Sequence, residues 1–582
     1  MALGAVAAVS LATAVPAMAA DNAADAKFEA IYTREWAWRI LQDPAGEDHT
    51  TLYGPTLPDV SPAAQEKRTQ TWAEVKRQID AIPRASLSPR RQVDYDVYRY
   101  QIDARLTQQQ FREYEKPLSS DGAFWNDFSF VAHSAFKREA DYRNWIGQMR
   151  EIPRYFAQQT ANMRAGLKRG FTPPRITLQG REASIAAVAN AASAEDNIFY
   201  LPFQTMPVDM PAATQAALRA EAKAAIEQAV VPTYRSFLGF YRDEYVPATR
   251  TTLAASDMPG GMAYYRSLIA EFATVDMTPD QIHEFGLAEG ARIKAEMIAA
   301  MKATGFKGDL PAFLIELRTN KRFYATTPEQ LLREAAWISK EIDSRIGNYI
   351  GHLPRRRFGI REMPAEIAAT AAAARGGPDG FLVNVYALNT RPLFALRSLA
   401  LHEGSPGHSM QIPLAMENSD APDFRRQTSI AAYEEGWGLY SERLGVEMGV
   451  YPTPYDIFGM LTMQVWRTAR LVVDTGMHAK GWSRKQAQDY LRDNTSLGDH
   501  EIETEVDRYI ARPGQALAYY LGKDSIQRAR VKAQSALGPK FNLRAFHDAV
   551  LALGSVPMPV LEAQIDQFIA GGGVGPYPDE EK

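Results

Sequence analysis

The chain contains no cysteine in 582 residues. That absence excludes disulfides, a lipid-anchoring thiol and thiolate metal ligands. Any metal must therefore be held by imidazole and carboxylate groups, a donor set that suits a catalytic zinc-type site better than a structural one. Beyond the first twenty residues no apolar run approaches the eighteen or more needed to cross a bilayer, so no membrane span is expected. There is also no marked excess of either charge. The 65 Lys and Arg oppose 69 Asp and Glu for a net charge of −4, which provides no global basic field for nucleic acid. The local run Arg355-Arg356-Arg357 reads as a solvated loop. What is present is a 46% hydrophobic composition with 26 Tyr, enough to bury one big domain or two intimate lobes.

Residues 1–20 are uncharged and rich in Ala, Val and Leu, and they end in Ala17-Met18-Ala19, an A-x-A-like cleavage signal. They read as a secretory signal peptide without a basic n-region, so the mature chain is expected to be periplasmic or secreted. Helix signals dominate the remainder. Thr278-Pro279-Asp280-Gln281 and Thr327-Pro328-Glu329-Gln330 each place a capping Thr, a Pro at the first helical position and a Gln that completes the box. Ser483 and Gln486 form a similar pair. Residues 62–116 and 138–168 are expected to be long amphipathic helices. Leu331, Ala335, Ile338, Ile342, Ile346 and Tyr349 mark one core face of the helix opened by Thr327. Gly376-Gly377-Pro378-Asp379-Gly380 breaks this regime, and 381–386 follows with strand-forming residues. An exposed edge there could pair with an extended peptide. A small sheet packed under the helices fits the same residues.

The densest chemical feature is His402-Glu403-Gly404-Ser405-Pro406-Gly407-His408. In the regular zinc-hydrolase motif H-E-x-x-H, both imidazoles lie on one helix face with the Glu as general base. Here the second His follows after six residues. On a straight helix the two would point about 120° apart and stand about 9 Å apart along the axis, too far to share an ion. The helix must bulge or bend, and Pro406 and Gly407 are the residues that permit it. His283-Glu284 and His500-Glu501 have no second His nearby and read as ordinary helix residues.

The next acidic feature, Tyr433 to Glu442, follows the second His. Two-His sites take a third protein ligand, commonly a Glu on the following helix. Glu435 stands 27 residues after His408, and Glu434 competes with it. Glu442 lies two turns beyond Glu435 on the same face, where it could orient a ligand His through its second nitrogen. Gly436 and Gly438, both poor helix formers, suggest close approach of another backbone. Scattered surface acids would give the same composition. Further along, Asp474 and His478 lie one turn apart, so Asp474 could fix the tautomer of His478. Arg512, Gln515, Tyr519 and Tyr520 flank a Pro-Gly turn. Such groups can donate to a tetrahedral oxyanion or bind a substrate carboxylate.

Taken in order, H-E-G-S-P-G-H, E-G-W-G-L-Y-S-E, D-T-G-M-H and R-Y-I-A-R-P-G-Q-A-L-A-Y, with Asp257 to Gly261 and Tyr264-Tyr265 upstream, resemble the bacterial domain-of-unknown-function 885 family over most of the mature chain. The resemblance implies a mainly α, gluzincin-like metallopeptidase fold with two helical lobes, a deep central cleft and a small β element. We place the lobes at 21–260 and 261–582, the second holding the metal, and expect the two to form one family-length domain. The resemblance further implies His402, His408 and Glu435 on one zinc ion, with Glu403 as base. The resulting expectation is an exported zinc-dependent hydrolase of short peptides, a carboxypeptidase or dipeptidase. In it His478 and Tyr519 stabilise the oxyanion, Arg512, Gln515 and Tyr520 bind substrate, and Glu442 and Asp474 support the inner residues. A metal hydrolase of non-peptide amides or esters, and a non-catalytic helical binding protein, are the alternatives.

Overall fold

The computed structural model describes residues 22–42, 54–119, 122–368, 371–378 and 380–577, the side chains of 366 and 367 apart. The signal segment expected at 1–20 lies outside the described residues. The described chain is mainly helical with one small sheet. The helices that build the site are α1 (Pro279–Ala303), α2 (Leu393–Leu399), α3 (His408–Glu417), α4 (Ala431–Glu447), α5 (Pro454–Ala479), α6 (Asp499–Ala511) and α7 (Ala518–Leu537). The sheet contains β1 (Gly359–Glu362), β2 (Ala374–Arg375) and β3 (Gly380–Val383) in the order β1-β3-β2. In it β1 is parallel to β3, and β2 is antiparallel, with Ala374 opposite Val383.

Local chemistry sets these boundaries. At α1, Thr278 Oγ1 accepts the Gln281 N–H at 3.2 Å while Gln281 Oε1 accepts the Thr278 N–H at 2.8 Å, so two orphan donors are satisfied reciprocally. Thr453 with Asp456 opens α5 in the same way, and Ser483 with Gln486 opens Arg484–Asn494. At Thr327 only half the box forms, because the Gln330 amide oxygen turns to the Thr326 N–H.

Three expectations are corrected. Residues 62–116 are not one helix but Pro62–Asp80 and Pro89–Phe111. Pro83 lies between them, and Pro89 sits in the first turn of the second, where a missing N–H costs nothing. The helix that begins at Pro328 ends at Asp343, so Ile346 reaches the core from a separate 3-10 turn. The strand stops at Val383 rather than 386. There the buried Asn384 turns its amide to the carbonyls of Ala368, Ala371 and Ala372 at 2.8–3.1 Å and ties down the preceding loop.

The apolar cores do not divide at residue 260. Phe28, Tyr98 and Ile102 belong to the same cluster as residues of 255–568, whereas a separate cluster is built within 118–245. Tyr32 and Tyr98 pack on Phe424 at 5.1 and 5.0 Å between ring centroids, and Asp94 pairs with Arg425 at 2.8 Å, which joins the first helices to the C-terminal part. A third cluster joins α5 to α6 and Arg484–Asn494.

Helix α5 is the central member, with every residue from Phe458 to His478 buried. A helix buried all round is ordinarily apolar all round. This one carries Gln464, Arg467, Arg470, Asp474 and His478 inward, so its polar groups must find partners within the protein. The α4–α7 crossing is equally close. A Cβ on Gly436 would lie 2.5 Å from the Gly522 carbonyl carbon, and a Cβ on Gly522 would overlap the Ala432 carbonyl oxygen. This reciprocal contact of backbones bears out the close approach inferred from Gly436. Gly522→Ala is therefore expected to destabilise the protein by about 1–3 kcal/mol, the cost of overpacking a tight contact, which thermal unfolding would register as a lower Tm. An unchanged Tm would show that the helices can separate freely.

Candidate metal centre

The two imidazoles are brought together by an interruption in the helix that carries them. Helix α2 passes into a wide π turn over Ala400–Gly404, the chain reverses through the cis Ser405–Pro406 bond, and α3 begins at His408. The Gly407 N–H donates to the Leu401 carbonyl, six residues back, at 3.0 Å. An α turn closes over four residues, so this turn absorbs the two that separate the motif from its regular form. Trp437 Nε1 donates to the Pro406 carbonyl at 2.8 Å and Ser409 Oγ donates to the Glu403 carbonyl at 2.8 Å, which fixes the loop from both sides.

The rings of His402 and His408 stand edge to face with centroids 4.9 Å apart. Both Nε2 atoms face one oxygen of Glu435, His402 at 3.2 Å and His408 at 3.5 Å. Ligands about 2.1 Å from a tetrahedral ion stand about 3.4 Å from one another, so the donor set and its spacing fit a metal. The three ligand atoms all lie within 4.8 Å of one another, and this group could hold an ion. Glu442, fully buried, accepts from His402 Nδ1 at 2.8 Å, which commits that nitrogen to the proton and leaves Nε2 for a ligand role. Ser398 Oγ and Gln464 Nε2 donate to the other Glu442 oxygen at 2.9 and 3.3 Å. Gly438 leaves room for the His402 ring, since a Cβ there would come within 2.8–3.0 Å of it. Glu434, by contrast, accepts from Ser429 Oγ at 2.7 Å, away from the imidazoles.

The charges agree with this arrangement. Burial opposes protonation of His402, yet hydrogen bonds with Glu435 and Glu442 outweigh it and raise the imidazole to about 9. Burial would likewise raise Glu435, yet the two imidazoles hold its carboxyl well below the usual range. Without a cation, the imidazoles themselves supply positive charge to Glu435. Glu403 stands beside this group, its Oε2 accepting the Gly376 N–H at 2.5 Å. A Cβ on Gly376 would overlap the Glu403 carbonyl, so the residue after β2 must be small to reach this point. In the sequence Gly376 reads only as a chain break.

Helix α7 supplies Tyr519, whose ring lies nearly parallel to that of His402 at 6.4 Å. Its hydroxyl has no hydrogen-bond partner among the described residues. The adjacent Tyr520 turns the other way and donates to Glu289 of α1 at 2.6 Å, which corrects its expected substrate role. Two further expectations are corrected. His478 is fully buried and accepts the Ala255 N–H on Nδ1 at 3.0 Å while Nε2 meets the Tyr509 carbonyl at 3.0 Å. No ring nitrogen remains for an oxyanion. Asp474 does not set this tautomer, because its carboxylate accepts from Tyr265 at 2.6 Å and from the Gly514 N–H at 3.1 Å. Arg512 lies over Phe272 at 5.9 Å and in the field of Glu271. Gln515 accepts from Arg508 at 2.7 Å and so supports an arginine that the sequence reading passed over.

The larger omission is a set of buried cations behind Tyr519. Arg467 and Arg470 from α5 and Arg508 from α6 gather around Glu505 and Trp466. The available signal was a pair of arginines three residues apart inside an otherwise apolar stretch opened by a Thr-Pro cap.

Two outcomes follow. Glu435→Ala is expected to lower metal affinity by at least tenfold in equilibrium metal titration, while Glu434→Ala leaves it near the wild-type value. The reverse ranking would place the third ligand on the other carboxylate. Stability should also fall in acid. Burial pushes His478 and His547 down to about 3, whereas the unfolded chain takes up these protons near 6.5. Between those values the unfolded state binds more protons, so stability is full above pH 6.5 and falls as the pH drops towards 3. Melting temperatures recorded from pH 7 to pH 4 should decline, and less steeply in His478→Gln. A profile unchanged by that substitution would show that His478 does not contribute.

No protein of curated function matches it. A crystal structure titled as a "putative lipoprotein" from Colwellia psychrerythraea has a TM-score of 0.87 at 24% identity, covering 94% of this chain and 100% of that one. A similarly titled protein of unknown function from Shewanella oneidensis has a TM-score of 0.69 at 17% identity, covering 93% and 99%. These likenesses establish a shared fold. The model of the family described as bacterial protein of unknown function, DUF885, matches residues 45–565, nearly the whole described length, and the chain belongs to that family.

Proposed function

We propose that this protein is an exported zinc-dependent hydrolase of peptide bonds that acts on short peptides as a carboxypeptidase or dipeptidase. The observation that carries the reading is the convergence of His402 Nε2 and His408 Nε2 on Glu435, with a second carboxylate, Glu403, held beside them by a backbone N–H. His402, His408 and Glu435 would hold a zinc ion, which would supply Lewis acidity and acidify the attacking water. Glu403 has the position and chemistry of a general base. Its Oε2 is tied to Gly376, which leaves Oε1 to take a proton from the attacking water and return it to the leaving amine. Tyr519, whose ring lies along that of His402, would donate to the oxygen that gains negative charge, the role for which His478 has no free nitrogen. Glu442 keeps His402 in the tautomer that offers Nε2.

Export is supported by the A-x-A-like segment at 1–20 and by the titles of the two structural neighbours. No helix among the described residues is long and apolar enough to cross a membrane. A binding scaffold would have no use for a free carboxylate beside an imidazole pair, which favours the hydrolytic reading over a non-catalytic one.

The test separates the base from the ligands. Glu403→Gln is expected to retain about one metal ion per chain by elemental analysis yet lose about 10²–10⁴-fold in chelator-sensitive peptide turnover. Undiminished turnover would remove Glu403 from the mechanism. Turnover of esters or non-peptide amides alone in a substrate screen would reassign the substrate class while leaving the metal chemistry in place.

A further inference from the structure

Three guanidinium groups gather between α5, α6 and α7, and two of them, Arg470 and Arg508, form ion pairs among the described residues. Arg470 donates from Nε to the Tyr509 hydroxyl at 2.8 Å and from Nη2 to Glu505 at 2.9 Å. Arg508 donates to the same Glu505 carboxylate at 2.9 and 3.2 Å and to Gln515 at 2.7 Å. One carboxylate thus serves two guanidinium groups. Arg467, 4% exposed, has no ion pair among the described residues. Its described hydrogen bonds run to Met463, to the carbonyl at 3.5 Å and to the thioether sulfur at 3.4 Å, and its Nε is buried with no partner among the described residues. Arg470 Nη1 is also buried and unpartnered. The acidic groups that face Arg467 are Glu442 and Glu435, which are occupied with the imidazoles, and Glu501, one turn before Glu505 on α6.

A guanidinium cannot shed its proton in a protein, and burying it without a counter-charge costs several kcal/mol. Such a group is stabilised when its counter-ion arrives with a ligand. The location agrees with this. The Arg467 guanidinium lies 4.2 Å over Trp466, Arg470 lies 4.3 Å from the same ring and 4.4 Å over Tyr519, and Tyr519 lies parallel to His402. Arg467 is itself 5.7 Å from the Tyr519 ring. The cations are therefore one aromatic ring away from the candidate metal group. A cavity opens beside them. Met463 and Trp466, which Arg467 touches, line a cavity of about 100 Å³ together with Glu501, Arg391 and Leu399, the last one helical turn before His402, and the guanidinium lies behind that wall.

We propose that Arg467, backed by Arg470 and Arg508, recognises a carboxylate of the substrate, so that molecules bearing this group beside the bond to be cleaved are selected. A planar guanidinium with unoccupied donors matches a carboxylate through two parallel hydrogen bonds, which a lysine could not reproduce. The carboxylate can come from a free peptide C-terminus or from an acidic side chain. That the ligand is a substrate rests on the hydrolase reading above. The carboxylate site itself does not.

Calorimetric binding to the Glu403→Gln protein, with and without added zinc, tests this directly. The probes are N-acetyl-alanyl-phenylalanine, its C-terminal amide, and N-acetyl-glutamyl-phenylalanine amide. The free acid is expected to bind about 10- to 100-fold more tightly than the simple amide, in both the presence and the absence of zinc. Adding Arg467→Gln should abolish the difference, and adding Arg467→Lys should restore only part of it. Tighter binding of the glutamyl amide would support the site and identify an acidic side chain as its source. Equal affinity for all three probes would overturn the proposal, and this comparison needs no change at Arg467. So would an acid preference that survives Arg467→Gln in a folded protein, or one that vanishes with the zinc. Because binding is read without turnover, absence of hydrolysis would count against the hydrolase reading and leave the carboxylate site to be judged separately.

Discussion

The structure depends on one demand of buried charge, that every ionised group taken out of water must meet an opposite charge or a set of donors. Glu442 satisfies it with a histidine, a serine and a glutamine, and Glu505 with two arginines. Glu435 satisfies it with two imidazoles that cannot both reach it from a regular helix. The wide turn between Leu401 and Gly407 and the loss of side chains at Gly436 and Gly438 are what let these groups converge. Helix α4 presents the acids, α2 and α3 present the bases, and α7 lies against α4 closely enough to set Tyr519 beside them.

The residues legible in the sequence were those whose geometry is local. His402, Glu403 and His408 lie within one interrupted turn, so their types and spacing already required a bend. Glu435 and Glu442 lie two turns apart on one helix, so their shared face followed from helical phase alone, and the structure gives each a partner among the imidazoles. The Thr-Pro caps were readable for the same reason, since each is completed within four residues.

What the sequence could not decide was which face of a helix meets which neighbour. Asp474 and His478 do share a face, as their spacing required, but that face is packed against residues more than 200 positions away in one direction and about 30–40 in the other. Tyr265, Ala255, Gly514 and Tyr509 claim the polar atoms before the two side chains can pair. Tyr519 and Tyr520 illustrate the same point. Successive helical residues diverge by about 100°, so one ring lies along His402 and the other reaches Glu289 on α1. Arg467 and Arg470 were passed over because a helix with apolar residues on every side gives no phase by which to tell a solvated arginine from a buried one.

The same bookkeeping of charge bears on what a molecule held here would look like. On one side of Tyr519 the metal group offers positive charge only when an ion or protons are present. On the other side the arginines offer it permanently, because their protonation does not change at any pH the fold tolerates. A substrate with a carbonyl to be polarised and a carboxylate to be neutralised would meet both with one aromatic ring between them. A long chain passing through the site would place an uncharged peptide group where Arg467 has no partner, and leave that guanidinium unpaired. Selection for an end, or for an acidic residue, then arises from electrostatics rather than from a wall that blocks the chain.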